Sequence, residues 1–600
     1  MIELFTTAVV GVLAVIAAHL IITARALITV WARWAGIAFT LLPFLAITLW
    51  ILDVPLPWQV PALGAVWIGV AGWRRYLRTA DVVTRWGERA RRKAGVASSA
   101  DIARTGSTVA VRKAATVVRP SMAERSRWER FRTATAEYAV LLCRAGAWRI
   151  WALAEDVVLV FGGPRTGKSG WIAARIVDSP GACLVTSTRT DLITLTSALR
   201  AVTGPVYVFN PTGLGGLAST FRFAPLTGCT DPVIAQERAI DLLSVSGGGG
   251  EDRQYWEGQA RRVLTAYLHA AALGGRSMRD VLAWVADPKA TSAEVVRLLR
   301  RSDQATAFVA DTEQFVQTND RTLTSITSTI MPALGWLTNP VAAAAAEPGF
   351  ALDVAELLAL RATVYLLGEQ ESQCAPLVAA LTGHIAREAR RLAAYKPWGR
   401  LDPPLRLCLD EAALLSPPLD SWTSDMGGRG VTIIAAFQSR AQMLARWGEH
   451  GTAAILNNTA AIMVFGGTKD KADLEFWSHL AGDRDEPVVT TDERGSVRSR
   501  TVRKAPVVAP PQIANLPRWR VLVYRRGMPV VVGRARMLWH PTPAARAGRL
   551  IESITNAVVE RPQRSDLDSA PTAQAAGVPR LTVVDHDPTA PEGDGDALAS

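Results

Sequence analysis

The chain has 600 residues, of which 49% are hydrophobic, and it carries a formal net charge of +12. A length of this order predicts several domains, and a positive mean hydropathy is unusual for a soluble chain of this size. The five cysteines are odd in number and lack C-x-x-C spacing, and the seven histidines form no H-E-x-x-H pattern. The sequence therefore gives no indication of a disulfide framework or a zinc site.

The first 75 residues contain three long apolar runs, at residues 5–23, 35–52 and 56–73. Each is close to the roughly 20 residues that a helix needs to cross a bilayer. Arginines lie between the first two runs and directly after the third, and the positive-inside rule places such residues in the cytoplasm. We therefore expect a multi-pass protein of the inner membrane whose remaining chain is cytoplasmic, with two spans as an alternative to three.

A basic segment follows, because residues 74–132 carry sixteen Lys and Arg residues against five acidic residues. This charge is compatible with contact to anionic lipid headgroups or to nucleic acid. It is also compatible with a simple extension of the positive-inside bias in an arginine-rich sequence. The sequence leaves these three interpretations open.

Residues 162–169 form a complete phosphate loop, G-G-P-R-T-G-K-S, between an apolar run at 157–161 and a helical pattern that begins at Trp171. In this context the backbone N–H groups and the helix dipole favour a phosphate. We expect Lys168 to reach the β and γ phosphates and the Ser169 hydroxyl to bind Mg²⁺. The predicted nucleotide-binding residues are Gly162, Gly163, Pro164, Arg165, Thr166, Gly167, Lys168 and Ser169.

A further apolar run, at 405–409, ends in two carboxylates, Asp410 and Glu411. Hydrolysis of ATP requires one carboxylate for the metal ion and one group that polarises water. We predict that Asp410 joins Ser169 in the Mg²⁺ shell and that Glu411 polarises the attacking water. Taken alone, an Asp-Glu pair at such a place is more typical of a helix N-terminus, and the phosphate loop is what favours the catalytic interpretation.

Short apolar runs recur through the chain and predict buried strands. They lie at 157–161, 183–186, 206–209, 363–367, 405–409, 431–435, 461–465 and 520–524. Helical patterns follow several of them, which predicts an α/β fold with a mainly parallel sheet and helices on both faces. Residues 232–345 instead show helical patterns at 254–273, 278–284 and 292–310, with few strands.

These patterns divide the chain into six expected segments. They are a transmembrane anchor at 1–75, a basic juxtamembrane segment at 76–150, a nucleotide-binding domain in two parts at 151–231 and 346–545, an inserted all-α domain at 232–345, and a disordered tail at 546–600. The tail is polar and rich in Pro, Ala and Asp. A charged stretch at 480–511 predicts an exposed loop or hairpin.

Further blocks of sequence carry a family resemblance. They are residues 186–192, 208–211 and 223–226, and the run Gly-Gly-Arg-Gly at 427–430, which is followed by an apolar strand and by Phe-Gln-Ser-Arg-Ala-Gln at 437–442. With the phosphate loop, these blocks resemble the TraG/TraD-like coupling proteins of conjugative type IV secretion systems, over about residues 150–540. The resemblance implies a RecA-like P-loop NTPase fold.

The resemblance also implies roles for two residues that spacing alone does not assign. Arg429 corresponds to an arginine finger that reaches the γ phosphate in the neighbouring subunit, where a planar cation stabilises the transition state. Gln438 corresponds to a sensor of the γ phosphate or the attacking water. A surface-turn arginine and a helix-capping glutamine remain the alternatives, and Asn210 stands where many relatives have an acid. The predicted catalytic residues are Lys168, Glu411, Arg429 and Gln438.

By this resemblance the protein is a membrane-anchored ATPase that uses ATP and Mg²⁺ to pump a DNA–relaxase substrate into a conjugative type IV secretion channel. The expected partners are DNA, single-stranded and bound without sequence specificity, the relaxase, the channel proteins, the membrane and further copies of the chain in a homo-hexamer. One alternative is a double-stranded DNA translocase of the septal or plasmid-transfer type, although no C-terminal winged helix is evident. Another is a cargo receptor that uses nucleotide only as a switch and has no sustained motor activity.

Overall fold

The computed structural model describes residues 94–245, 251–369, 373–415, 418–491 and 497–539. The three apolar runs and the predicted tail lie outside these ranges. Among the described residues, no helix is both long enough and apolar enough to cross a membrane. This finding contradicts the predicted multi-pass location in the inner membrane. The longest described helix, Glu251–Gly274, has 24 residues, but it contains Glu257, Arg261 and Arg262, which are costly to bury in lipid.

Thirteen strands lie in these ranges. They are β1 Ala139–Ala145, β2 Trp148–Leu153, β3 Val158–Phe161, β4 Cys183–Ser187, β5 Val206–Phe209, β6 Thr363–Leu367, β7 Leu405–Leu409, β8 Val431–Phe437, β9 Ala461–Phe465, β10 Asp483–Thr491, β11 Val497–Pro506, β12 Arg520–Arg525 and β13 Met528–Arg534. Eleven form one sheet in the order β2-β1-β13-β12-β9-β3-β8-β7-β4-β6-β5. The seven strands from β9 to β5 are parallel, which confirms the predicted α/β fold with a mainly parallel sheet.

The α-helices of the same ranges cover the sheet and build the insertion. They are α1 Ser99–Thr105, α2 Thr108–Arg112, α3 Ala115–Val118, α4 Arg127–Arg132, α5 Lys168–Val177, α6 Asp191–Ala201, α7 Pro232–Ser244, α8 Glu251–Gly274, α9 Met278–Ala286, α10 Pro288–Leu299, α11 Thr306–Gln317, α12 Asp320–Leu334, α13 Pro340–Ala345, α14 Val354–Ala359, α15 Ala375–Ala394, α16 Ala412–Leu415, α17 Leu419–Asp425, α18 Arg440–Asn458, α19 Lys471–Ala481 and α20 Pro510–Ala514.

Strand β3 shows how the sheet separates two cores, because alternate residues of a strand point to opposite faces. Val158 and Val160 pack in a core with Trp171 of α5. Leu159 and Phe161 belong to the larger core, which includes residues of the helical insertion. The strand that precedes the phosphate loop is therefore central in the sheet and covered on both faces.

The helical insertion lies between β5 and β6 and runs from α7 to α14. The single helical pattern expected at 292–310 is two helices, α10 and α11, because the Ser302 side chain caps a short 3-10 turn between them by accepting from the Gln304 N–H. Strands β1 and β2 were not predicted, and they cross the expected boundary at residue 150 to join the main sheet through β13. The domain boundaries remain predictions.

The charged stretch at 480–511 contains the antiparallel ribbon of β10 and β11, in which Asp485 faces Lys504 and Glu486 faces Arg503. The side chains of Val502, Arg503 and Lys504 are exposed. This part of the chain is a hairpin outside the main sheet, as its charge pattern predicts.

Two helix glycines give a matched test of this packing. A Cβ on Gly383 in α15 would lie 2.0 Å from Oδ2 of Asp241, which is buried and paired with Arg387. A Cβ on Gly258 in α8 would meet nothing within 4 Å. We expect Gly383→Ala to lower the free energy of unfolding by about 2 kcal/mol and Gly258→Ala to raise it by up to about 1 kcal/mol. Denaturant unfolding measures both, and a stabilised Gly383→Ala variant would contradict the packing of α7 on α15.

Candidate nucleotide site

Three neighbouring parallel strands end at the same edge of the sheet and bring most of the predicted catalytic groups together. Strand β8 lies between β3 and β7. The phosphate loop follows β3, Gln438 follows β8, and Asp410 and Glu411 follow β7. The carboxyl edge of a parallel sheet is where α/β proteins bind ligands. The three motifs, far apart in the sequence, thus meet at one place.

The phosphate loop has the backbone that a tight turn around an anion requires. Arg165 has a φ of 58° and Gly167 a φ of 109°, so the chain turns through the left-handed region just before α5 begins at Lys168. No side chain caps the start of this helix, which leaves first-turn N–H groups available for a phosphate. The Thr166 hydroxyl donates to the Gly163 carbonyl, at 2.8 Å, and holds the turn closed.

The remaining loop residues lie between the end of β3 and the first turn of α5. Gly162 is buried, and its N–H donates to the Phe437 carbonyl, at 3.2 Å, which ties the loop to the end of β8. Pro164 is exposed at the tip of the loop, and Ser169 is half-buried in the first turn of α5. Ser169 is thus placed beside Lys168 at the helix start, where a hydroxyl ligand for a metal ion belongs in this motif.

Lys168 is buried, with 7% of its surface exposed. Its Nζ donates to the Gly162 carbonyl and approaches the Gly163 carbonyl at 3.4 Å. Burial lowers the pKa of Lys168, while the negative charges of Glu411 and Asp410 act in the opposite direction. The ammonium group is therefore folded over its own loop, and the nearby negative charges offset part of the effect of its burial.

Asp410 is 5% exposed, and its Oδ1 atom has no hydrogen-bond partner. Burial raises the pKa of Asp410 to about 7, and the charge of Glu411 adds to this effect, whereas Lys168 opposes it. An orphaned, desolvated carboxylate oxygen is costly unless a cation or a donor satisfies it. The side chain thus fits a place in the coordination shell of a hard divalent cation such as Mg²⁺.

Glu411 and Gln438 contact each other directly. The Gln438 Nε2 group donates to both carboxylate oxygens of Glu411, each at 3.2 Å. Glu411 has a φ of 53°, a left-handed backbone that costs about 1–2 kcal/mol for a residue with a Cβ. The helix that follows is capped by Ser439, whose side chain accepts from the Gln442 N–H. The Gln438 side chain therefore does not serve as that cap.

Arg429 is not brought to this cluster. It lies before β8, at the amino edge of the sheet, and its carbonyl accepts from the Leu401 N–H at 2.9 Å. Its side chain is 43% exposed and is 3.6 Å from an Asp425 oxygen. Because β8 has seven residues and strands rise by about 3.3 Å per residue, the two ends are roughly 20 Å apart. Arg429 cannot reach the phosphate loop of its own subunit.

An apolar wall that was not predicted lies beside the loop. A Cβ on Gly167 would lie 2.7 Å from Cε of Met537, and one on Gly170 would lie 2.1 Å from the ring of Trp539. The Leu538 N–H donates to the Gly170 carbonyl at 3.0 Å. Trp519, which has a φ of 64°, also approaches the Gly167 position, at 3.2 Å. The available signal was Trp519, directly before the predicted strand at 520–524, and Trp539, later in the chain.

Two other polar residues, Asp191 and Asn210, follow strands of the same sheet. The charge of Asp191, at the start of α6, contributes to the raised pKa of Asp410. Asn210 is buried, and its side chain bonds the backbone of Leu214 and Leu217. Asn210 therefore holds a turn together, whereas Asp191 adds negative charge close to Asp410.

Comparison with family models gives a match to one part of the chain. Residues 404–518 match a family model described as the TraM recognition site of TraD and TraG. This range includes Asp410, Glu411, Arg429 and Gln438. No curated protein sequence matches the chain.

Solved structures give the fold. The bacterial conjugative coupling protein TrwBdeltaN70, in its unbound monoclinic form, is 18% identical, with a TM-score of 0.52 over 70% of this chain and 94% of that chain. The plasmid coupling protein TrwB in complex with ADP and Mg²⁺ is 17% identical, with a TM-score of 0.49 over 65% of this chain and 87% of that chain. The family-model match and the shared fold confirm the resemblance of the chain to the type IV coupling proteins of the TraG/TraD family.

Proposed function

We propose that the protein is an ATPase that couples ATP hydrolysis to the transfer of a DNA–relaxase substrate into a conjugative type IV secretion channel. The observation that carries the ATPase assignment is the meeting of a phosphate loop, two carboxylates and Gln438 at the carboxyl ends of β3, β7 and β8. The transfer assignment rests on the family match at 404–518 and on the fold shared with a conjugative coupling protein.

Each group in the cluster has a distinct task in hydrolysis. The loop N–H groups and Lys168 bind and orient the β and γ phosphates, for which Lys168 exchanges its carbonyl acceptors for phosphate oxygens. Glu411 accepts hydrogen bonds from Gln438, which hold its carboxylate where its charge acts on Lys168. In the proposed mechanism the attacking water occupies the space above the loop. A water in that space would be polarised by Glu411, as a general base near the γ phosphate requires.

Asp410 and Ser169 would hold Mg²⁺. The unpartnered Oδ1 atom of Asp410 and the position of Ser169 in the first turn of α5 fit this role. When bound, the ion would neutralise phosphate charge. Asp410 would hold it as the ionised carboxylate, because a carboxylate ligand must be deprotonated.

Assembly follows from the position of Arg429. An arginine finger that lies about 20 Å from its own loop can act only on another subunit, so the proposed state is a ring, for which we infer a homo-hexamer. The proposed partners are single-stranded DNA, the relaxase and the channel proteins. The description of the family model as a TraM recognition site adds a TraM-like accessory protein to the proposed partners of residues 404–518.

The first prediction tests nucleotide turnover. Lys168→Ala should abolish ATPase activity, because the phosphates lose their buried cation. Lys471→Ala, whose side chain is 87% exposed, is the control and should turn over normally. Phosphate release, with and without single-stranded DNA, measures the rate, and circular dichroism checks folding. Near-normal turnover in a folded Lys168→Ala protein would remove the ATPase assignment, and an ATPase that DNA never stimulates would favour a nucleotide-switched receptor.

The second prediction separates the two carboxylates. Glu411→Gln should bind ATP with Mg²⁺ at nearly normal affinity but hydrolyse it at least 10²-fold more slowly, because a general base contributes about 10²–10⁴-fold. Asp410→Asn should instead weaken the Mg²⁺ dependence of nucleotide binding. Titration with a fluorescent ATP analogue, at several Mg²⁺ concentrations, distinguishes the variants. If Glu411→Gln fails to bind ATP, the two roles are assigned the wrong way round.

The third prediction tests the arginine finger. Arg429→Ala should bind ATP but hydrolyse it slowly, since such fingers contribute on the order of 10³-fold or more. Mixing it with Lys168→Ala subunits should restore some turnover, because a mixed ring contains interfaces with an intact loop and an intact arginine. Arg390→Ala is the matched control, since Arg390 is similarly exposed and pairs with the same Asp425. If subunits exchange and the mixture remains inactive, Arg429 does not act in trans.

A further inference from the structure

A short helix outside the nucleotide site, α4, has five exposed residues and one, Arg130, that is half-buried. It has six residues, Arg127–Arg132, none of them buried, and a capping box formed by Ser126 and Glu129 closes its first turn. The helix therefore contributes nothing to either core of the sheet. Its residues are free to serve a surface role.

Two aromatic side chains of α4 stack in solvent. Trp128 is 66% exposed and Phe131 is 59% exposed, although burial of each ring would stabilise the fold by a few kcal/mol. Their ring centroids are 6.0 Å apart and their planes differ by only 15°. The pair presents a nearly flat aromatic surface rather than a packed one.

One cation contacts this aromatic pair, and several others lie close to it in the sequence. The Arg112 guanidinium lies 4.7 Å from the centroid of the Phe131 ring, a distance at which cation–π attraction operates. The other cations nearby in the sequence are Lys113, Arg125, Arg127, Arg130 and Arg132, against the acids Glu124 and Glu129. Among the described residues, no carboxylate forms a salt bridge with any of these six cations. We call Trp128, Phe131 and these six cations the basic aromatic patch.

The segment that carries the patch is fixed at the amino edge of the sheet, away from the nucleotide site. The Arg119 guanidinium bonds Asp402 at 2.7 Å and pairs with Glu137. Asp402 also accepts from the Ser121 N–H at 2.7 Å. The neighbouring Leu401 bonds Arg429. The patch therefore lies on the Arg429 side of the sheet and belongs to no part of the phosphate-loop cluster.

We propose that the basic aromatic patch binds single-stranded DNA, with bases stacked on Trp128 and Phe131 and phosphates contacted by the surrounding arginines. This inference rests on the proposed function, since it names a surface for the nucleic acid that the ATPase moves. Exposed aromatic rings beside cations are how sequence-tolerant single-strand binding works, because every base has a π face. A duplex hides those faces, so the patch selects unpaired strands.

The composition of α4 distinguishes this partner from a lipid surface. Interfacial helices bury a large apolar face in the headgroup region. The sequence of α4, R-W-E-R-F-R, contains no apolar residue apart from the two rings. Two flat rings offer a surface that matches two bases, but they provide little apolar area for insertion into a membrane.

Binding to a short oligothymidylate and to an abasic strand of equal length separates stacking from charge. The wild-type chain should bind the oligothymidylate more tightly, by roughly five- to 150-fold for each stacked base. The double variant Trp128→Ala/Phe131→Ala should bind the two strands equally. Tyr395→Ala, which removes an aromatic side chain that is 87% exposed, should keep the wild-type preference. Fluorescence anisotropy measures each affinity.

The arginines have a separate signature. Arg127→Gln/Arg130→Gln should flatten the log–log dependence of DNA affinity on salt by roughly 0.7 for each phosphate that the variant no longer neutralises, while the preference for bases over abasic strand persists. The aromatic variant should show the reverse, with an unchanged salt slope. All four substituted side chains are outside the cores, so circular dichroism should show folded proteins.

Three results would overturn the proposal. The first is equal affinity of the wild-type chain for the two strands. The second is that Trp128→Ala/Phe131→Ala mainly loses binding to anionic phospholipid vesicles. The third is that the same double variant mainly loses self-association, as measured by sedimentation velocity. The last two would assign the patch to a lipid surface or to a second copy of the chain. Basal ATPase activity without DNA should be normal in all patch variants, so that failure of the patch is distinguishable from failure of the proposed ATPase.

Discussion

The nucleotide site depends on a desolvated group of charges at the end of three parallel strands. Lys168, Asp410 and Glu411 affect one another strongly because burial removes the water that would screen them. The pKa of Asp410 rises from its ordinary value of 3.8 to about 7, so the folded state holds this proton more tightly than the unfolded chain. The free energy of unfolding therefore falls as pH rises between these two values. The fold tolerates this cost at a place where a cation and a polyanion can offset it.

Backbone geometry and packing preserve that arrangement. The loop and Glu411 both use left-handed backbone conformations at residues with side chains, and such strain persists only where the surroundings fix it. Part of that support comes from the antiparallel side of the sheet, where the chain leaves β13 and returns to place Met537 and Trp539 against Gly167 and Gly170. Any side chain at either glycine would have to displace the segment at 535–539. The antiparallel extension therefore shapes the loop as well as widening the sheet.

Local sequence patterns were sufficient for the elements of the fold but not for their arrangement. All eight expected strands exist, because short apolar runs flanked by turn residues are a local signal. Even Arg406, a charged residue in β7, did not obscure it, although the side chain is buried and donates to the Arg175 carbonyl. The strand order β3-β8-β7 follows from crossover connections, which no local pattern encodes. Strands β1 and β2 were not predicted, because the basic segment that precedes them was interpreted from its charge.

The same distinction applies to the site. The phosphate loop and Asp410-Glu411 were recognisable because a phosphate and a metal ion require particular residues at fixed spacing. The hydrogen bonds of Gln438 to Glu411 and the wall at Trp539 depend on contacts between distant segments. The predicted membrane location is contradicted, because no helix among the described residues is both long and apolar enough to cross a membrane. The apolar runs on which the prediction rested lie outside those residues.

Strand β8 links the two places where subunits of a ring would communicate. Gln438 follows its carboxyl end and contacts Glu411, while Arg429 precedes its amino end and lies on the side of the basic aromatic patch. All seven residues of β8 are buried, and neighbours on both sides bond it in parallel. Such a strand is too tightly packed to bend locally, since protein interiors have low compressibility. A shift imposed on Gln438 by a γ phosphate would therefore displace the strand as a unit and reach Arg429, which in the proposed ring would act on the next subunit. In this arrangement one strand would connect the binding of nucleotide at one site to the position of the arginine that completes the neighbouring site.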